Sequence, residues 1–159
     1  MIVVLDTNVL ASGVLGFHRS SSVPGMLLRR WRAGAFTLIV SEHILAELVR
    51  AFANPFFTSR LSAQQIEAAL AALRAGAVIQ PITFQVTGIA THLGDDLVLA
   101  TALSAGAGYI VTGDKRLQEL DRYHRTGFKT RSQPRDTLNA ARQAGEIPGL
   151  SSQIVAVVR

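Results

Sequence analysis

Cysteine is missing from the 159-residue chain, which excludes disulfides, thiolate zinc sites and cysteine nucleophiles. No apolar run reaches the length needed to cross a bilayer. The N-terminus does not read as a secretion signal either. MIVVLDTN is apolar for only five residues before Asp6, and no basic stretch precedes it. A cytoplasmic protein with no membrane contact is therefore expected. Acids are scarce, with 11 Asp and Glu against 16 Lys and Arg and a formal net charge of +5. That balance favours nucleic acid as a partner; a soluble protein that is simply basic stays open on charge alone. With 48% hydrophobic and 17% charged residues, the chain is composed to bury a core. Its length fits one domain.

What is present is an alternation of short apolar runs and helical patterns. Ile2 to Leu5 is β-branched-rich and continuous, the pattern of a strand buried on both faces. Val9 to Val14 opens a helix. His18 to Ser22 reads as a polar loop, and Met26 to Arg32 as a helix closed by Gly34. Phe36 to Val40 is a second strand. Ser41 is placed to cap a helix whose apolar positions are Ile44, Leu45, Leu48, Val49 and Phe52, with Asn54-Pro55 as its stop. Ser62-Ala63-Gln64-Gln65 has capping-box form and starts a helix ending at Gly76. Ala77 to Ile79 is a short strand. Asp95 and Asp96 precede a helix closed by Gly106, and Tyr109 to Thr112 is a strand. Beyond it, a short helix over 115–121, an edge strand over 128–130 and a helix from Pro134 to about Ala144 are expected. The alternation predicts an α/β fold of three layers, with a central, mostly parallel sheet flanked by helices.

Four carboxylates fall where such a sheet gathers its ligands, at the carboxyl ends of strands or the first turns of helices: Asp6, Glu47, Asp96 and Asp114. Crowded acids repel unless a cation neutralises them. Hard oxygen donors suit Mg²⁺ or Mn²⁺. Each acid has a plainer role open to it. Asp6 suits a helix cap, and Asp95 and Asp96 suit partners of a helix dipole. Glu47 suits a solvated helix position, and Asp114 a turn. The conjunction, not any one position, points to metal chemistry. Arg29 to Arg32 reads as one helix with Trp31 packed inward and its arginines solvated. The four histidines share no ligand spacing and read as surface or cap residues.

These segments resemble those of PIN-domain ribonucleases. Val-Val-Leu-Asp-Thr-Asn-Val-Leu at 3–10 is similar to the family's opening, and Ser41 to Leu48 to its second acidic segment. Asp95-Asp96-Leu97-Val98-Leu99-Ala100-Thr101-Ala102 resembles the third, and Tyr109-Ile110-Val111-Thr112-Gly113-Asp114 the fourth. The nearest subgroup is the toxins of toxin–antitoxin pairs, of the VapC type. The resemblance implies a nuclease domain over residues 1–145 and a C-terminal extension over 146–159. It implies Asp6, Glu47, Asp96 and Asp114 as metal-binding catalytic acids, Asn8 and Thr112 as polar helpers, and Asp95 as an auxiliary acid. Mg²⁺ or Mn²⁺ is the implied cofactor, single-stranded or loop RNA the substrate, and an antitoxin and a second copy of the chain the partners.

Lys115 and Arg116 lead seven Lys and Arg between 115 and 135. They are expected to meet RNA phosphates, against the reading of solvated surface charge. Where some relatives carry a further acid after the fourth, this chain has Arg116 and Gln118. That departure keeps a second expectation in view, a non-catalytic RNA-binding module with the same fold. A third, a phosphotransfer domain with an Asp after its first strand, is opposed by Asn8, which stands where a second acid belongs.

Overall fold

The computed structural model describes residues 1–84 and 93–114. Ten elements form in it. They are β1 (Ile2–Leu5), α1 (Thr7–Leu15), α2 (Val23–Arg32), β2 (Thr37–Val40), α3 (Glu42–Phe52), α4 (Pro55–Thr58), α5 (Ala63–Gly76), β3 (Val78–Ile79), α6 (Leu93–Ala105) and β4 (Tyr109–Val111). The elements expected after Asp114, the pair Lys115 and Arg116, and the extension over 146–159 lie outside the described residues.

The four strands form one parallel sheet in the order β3-β2-β1-β4. β1 is central. Val4 pairs with Ile39 on one side and with Ile110 on the other. A strand covered on both edges and both faces must be apolar throughout, and Val3, Val4 and Leu5 are buried. β3 is a two-residue edge strand with both side chains exposed.

From β1 the chain steps to β2 and then β3, and then returns through α6 to β4 on the far side of β1. Parallel crossovers are right-handed. Reversing the direction of travel therefore puts α6 on the face opposite the helices of the first two crossovers. The reversal leaves a crevice at the carboxyl ends of β1 and β4, the usual ligand position in open α/β sheets.

Local signals set the helix ends. The Ser41 hydroxyl accepts from the Ile44 N–H, and its helix buries Ile44, Leu45, Leu48 and Phe52. Val49 differs from expectation: it is exposed, because it sits one position beyond the stripe that faces α1. Asn54-Pro55 ends α3 and also starts α4, since the Asn54 side chain accepts from the Phe56 N–H. α2 begins earlier than Met26, with Ser22 as its cap and Pro24 in its first turn. Gly34 and Gly106 adopt positive φ (78° and 58°) just past α2 and α6, a backbone state that favours glycine. Trp31 packs against the core. Arg29 is not solvated as expected, because its guanidinium donates to the carbonyls of Phe17 and Arg19.

Ser62 and Gln65 complete a reciprocal capping box. The Gln65 N–H reaches the Ser62 hydroxyl at 3.2 Å, and the Ser62 N–H reaches Gln65 Oε1 at 2.8 Å. Ser62→Ala removes half of it and should lower stability by about 1 kcal/mol. A shift in the urea midpoint without a change in slope checks this.

Candidate functional site

Asp6 is the first residue past β1. Its N–H donates to the Val111 carbonyl at 2.9 Å, which closes the gap between β1 and β4. By position it caps α1, yet its side chain makes no cap bond. The carboxylate turns instead toward β4, where the Thr112 hydroxyl donates to Asp6 Oδ2 at 2.8 Å. The Asp114 N–H donates to that same hydroxyl at 3.0 Å. Thr112 is fully buried, so the chain of bonds from Asp114 through Thr112 to Asp6 fixes the three residues together. Thr112→Val keeps the shape and deletes the hydroxyl. It should lower any activity that depends on Asp6 by about 10–100-fold, measurable as a rate on unstructured RNA.

Burial is the main influence on Asp6 and pushes its pKa above the ordinary 3.8. The Thr112 hydroxyl and the Thr7 backbone pull it down, and the negative charges of Glu47 and Asp114 push it up again. These last contributions carry structural information. Residues 41 and 108 positions apart from Asp6 in sequence act on it as neighbours in space.

Glu47 comes from the second turn of α3 and is about one-third exposed. The Thr7 hydroxyl donates to Glu47 Oε2 at 3.0 Å, so the residue after Asp6 reaches across to the second acid. Glu47 also abuts α6: a Cβ built on Gly94 would stand 3.0 Å from Glu47 Oε1. Asp95 and Asp96 occupy the first turn of α6. The sequence pattern puts them before that helix; the structure starts it at Leu93, which brings both acids inside it. Asp96 is buried and Asp95 half-buried. α6 is tied to α3 by a buried bond in which the Thr101 hydroxyl donates to the Ser41 hydroxyl at 2.9 Å.

The structure thus draws Asp6, Glu47 and Asp114 into one electrostatic neighbourhood and sets the turn bearing Asp96 against Glu47. Asn8 is exposed on α1, and no hydrogen bond among the described residues joins it to the acids. Among the described residues no three Asp, Glu or His side chains stand close enough to clasp one ion. Like charges keep such oxygens apart until a cation screens them. The donor chemistry fits a hard divalent ion, since every contributor is a carboxylate and a positive charge would relieve the repulsion acting on Asp6.

Thr7, His43 and Gly94 belong to this site and were not legible as such. Thr7 follows the first acid directly, and His43 precedes Glu47 by one helical turn. Both spacings were visible, but neither identifies a partner until α1, α3 and α6 are packed. His43, expected at the surface or at a cap, stands half-buried in the first turn of α3.

A separate cavity of about 340 Å³ lies between α1, α2 and α5, with Leu28, Leu73, Arg19, Arg32 and Arg60 among its lining residues. None of the four acids lines it. Among the described residues no helix is long and apolar enough to cross a membrane.

The fold and the site define a class: an α/β domain that gathers carboxylates at the reversal point of a parallel sheet. The chain belongs to the PIN-domain family, whose model matches residues 2–116. Among solved structures it is similar to the crystal structure of VapBC2 from Rickettsia felis bound to a DNA fragment from their promoter. That match has a TM-score of 0.51 at 18% identity and covers 76% of this chain and 93% of the other, a likeness of fold. No curated protein matches the chain.

Proposed function

We propose that the chain is a metal-dependent endoribonuclease acting as the toxin of a toxin–antitoxin pair. One observation carries this: Asp6 is kept buried at the sheet's reversal point although the charges of Glu47 and Asp114 work against its ionisation. A divalent cation at this point would offset that repulsion, which is what supports the reading. Asp6, Glu47, Asp96 and Asp114 are the residues that would hold Mg²⁺ or Mn²⁺, with Asp95 as an auxiliary acid and Asn8 as a polar helper. When bound, the ion acidifies a water and offsets charge on a phosphoryl oxygen.

The residues themselves do the orienting. Thr112 fixes the Asp6 carboxylate, Thr7 fixes that of Glu47, and neither leaves its acid free to swing. Water attacks phosphorus in line; the new P–O bond forms as the bond to the 3′-oxygen breaks, and the proton passes to that oxygen. The net charge of +5 suits RNA, and Lys115 and Arg116, which follow Asp114 directly in sequence, are the residues proposed to bind phosphates. The fold likeness to VapBC2 supports an antitoxin partner, and family resemblance supports a homodimer in the cytoplasm.

Incubating the protein with Mn²⁺ and an unstructured RNA tests this. Cleavage by the native chain, lost in EDTA, is expected. Salt-sensitive RNA binding with no cleavage in any divalent metal would favour the other reading, a non-catalytic RNA-binding module. Arg116 and Gln118 in place of acids, and the spacing of the described carboxylates, are what favour that alternative.

A further inference from the structure

Glu47 is held by side chains from outside the acid set. His43 precedes it by four residues on α3, so the two share a helix face. His43 Nε2 lies 3.6 Å from Glu47 Oε2. That nitrogen is buried and makes no hydrogen bond among the described residues. A buried polar nitrogen left without a partner is unfavourable, and the Glu47 carboxylate stands beside it. The separation exceeds a hydrogen bond but lies within the range of a charge–dipole contact with the carboxylate.

Across the carboxylate from His43 stands Gly94. Its missing side chain is what lets Glu47 Oε1 approach α6, since a Cβ there would sit 3.0 Å away. A Cβ there asks the Glu47 carboxylate to give way by a few tenths of an ångström, away from the turn that bears Asp96. With the Thr7 hydroxyl on Oε2, the carboxylate is bounded on three sides.

We propose that His43 and Gly94 are positioning residues. His43 Nε2–H and the gap at Gly94 together hold the Glu47 carboxylate against the first turn of α6, within reach of a divalent cation shared with the other acids. This rests on the proposed reading of the acids as cation ligands. Neither residue touches the substrate.

The test compares the full-length native chain with His43→Ala, His43→Gln and Gly94→Ala. Mn²⁺ affinity is measured by isothermal titration calorimetry, and kcat and KM on an unstructured RNA. His43→Ala and Gly94→Ala are expected to weaken Mn²⁺ binding by roughly 10–100-fold. They should lower kcat by a similar factor and leave KM for RNA within about twofold. His43→Gln, which keeps a side-chain N–H donor, should recover most of the loss. If His43→Ala does not fold, His43→Leu replaces it, keeping bulk without a donor. Native-like Mn²⁺ affinity in folded His43→Ala (or Leu) and Gly94→Ala overturns the inference alone. A native chain that neither binds Mn²⁺ nor cuts RNA overturns the proposed function, and the inference with it.

Discussion

Asp6→Asn is expected to reduce RNA cleavage by roughly 10²–10³-fold, about 3–4 kcal/mol of transition-state stabilisation, while making the metal-free protein more stable. The two effects share one cause. Asp6 is only 5% exposed, and its pKa is raised first by burial and then by the charges of Glu47 and Asp114. A raised acid favours the fold in its neutral form. Its contribution is complete below the unfolded value near 3.8 and is lost as pH rises through the folded value. Once ionised, the side chain therefore works against the native state. Asn is nearly the same shape and still accepts the Thr112 hydrogen bond, but carries no charge. Metal-free Asp6→Asn should melt a few degrees above the native chain, on the order of 1 kcal/mol. That gap should widen as pH rises above the ordinary value near 3.8. Adding Mn²⁺ should raise the native melting temperature and leave the variant nearly unmoved. Thermal melts in EDTA and in Mn²⁺ check all three, and a variant that melts lower in EDTA would contradict the electrostatic argument.

Gly25→Ala is expected to destabilise the fold by about 3 kcal/mol or more. A Cβ at Gly25 would stand 2.1 Å from the Gly16 carbonyl oxygen and 2.6 Å from its carbon. Both are backbone atoms, so no side-chain rotation relieves the clash. Both glycines are buried where the end of α1 meets the start of α2. Gly13 makes a related close approach, its would-be Cβ lying 2.8 Å from Leu28. The Pro24 carbonyl oxygen would stand 2.9 Å from it as well, a looser backbone approach than the 2.1 Å at Gly25, so Gly13→Ala should be milder. Because α1 also carries Thr7 against Glu47, loosening the α1–α2 pair should weaken the site along with the fold. Urea denaturation of the two variants ranks the two approaches: Gly25→Ala should have the lower midpoint.

The strands were legible because burial on both faces leaves no choice of residue; Ile2 to Leu5, Thr37 to Val40 and Tyr109 to Val111 are apolar almost throughout. Caps were legible where the capping side chain is short and local, as at Ser41 and Ser62. The start of α6 was not, because Leu93 and Gly94 carry no cap signal and the acids that suit a helix entrance suit its first turn equally. Nor was the exposure of Val49, whose spacing on α3 fits the apolar stripe although its neighbours leave it outside. The edge where the acids gather followed from chain direction alone, since a residue after a parallel strand must emerge at its carboxyl end. The groups that hold those acids did not follow. Thr7 meets Glu47 across 40 positions, and Thr112 meets Asp6 across 106. Pairings at that range depend on how helices pack over the sheet, which local pattern does not encode.

A crystal grown or soaked in Mn²⁺ and measured at the manganese absorption edge tests the shared cation most directly. Convergence predicts an anomalous peak roughly 2.0–2.3 Å from carboxylate oxygens of Asp6 and at least one of Glu47, Asp96 and Asp114. The peak should be absent from Asp6→Asn crystals. A fully ordered acid edge with no manganese at millimolar concentration, or manganese held elsewhere, would contradict it.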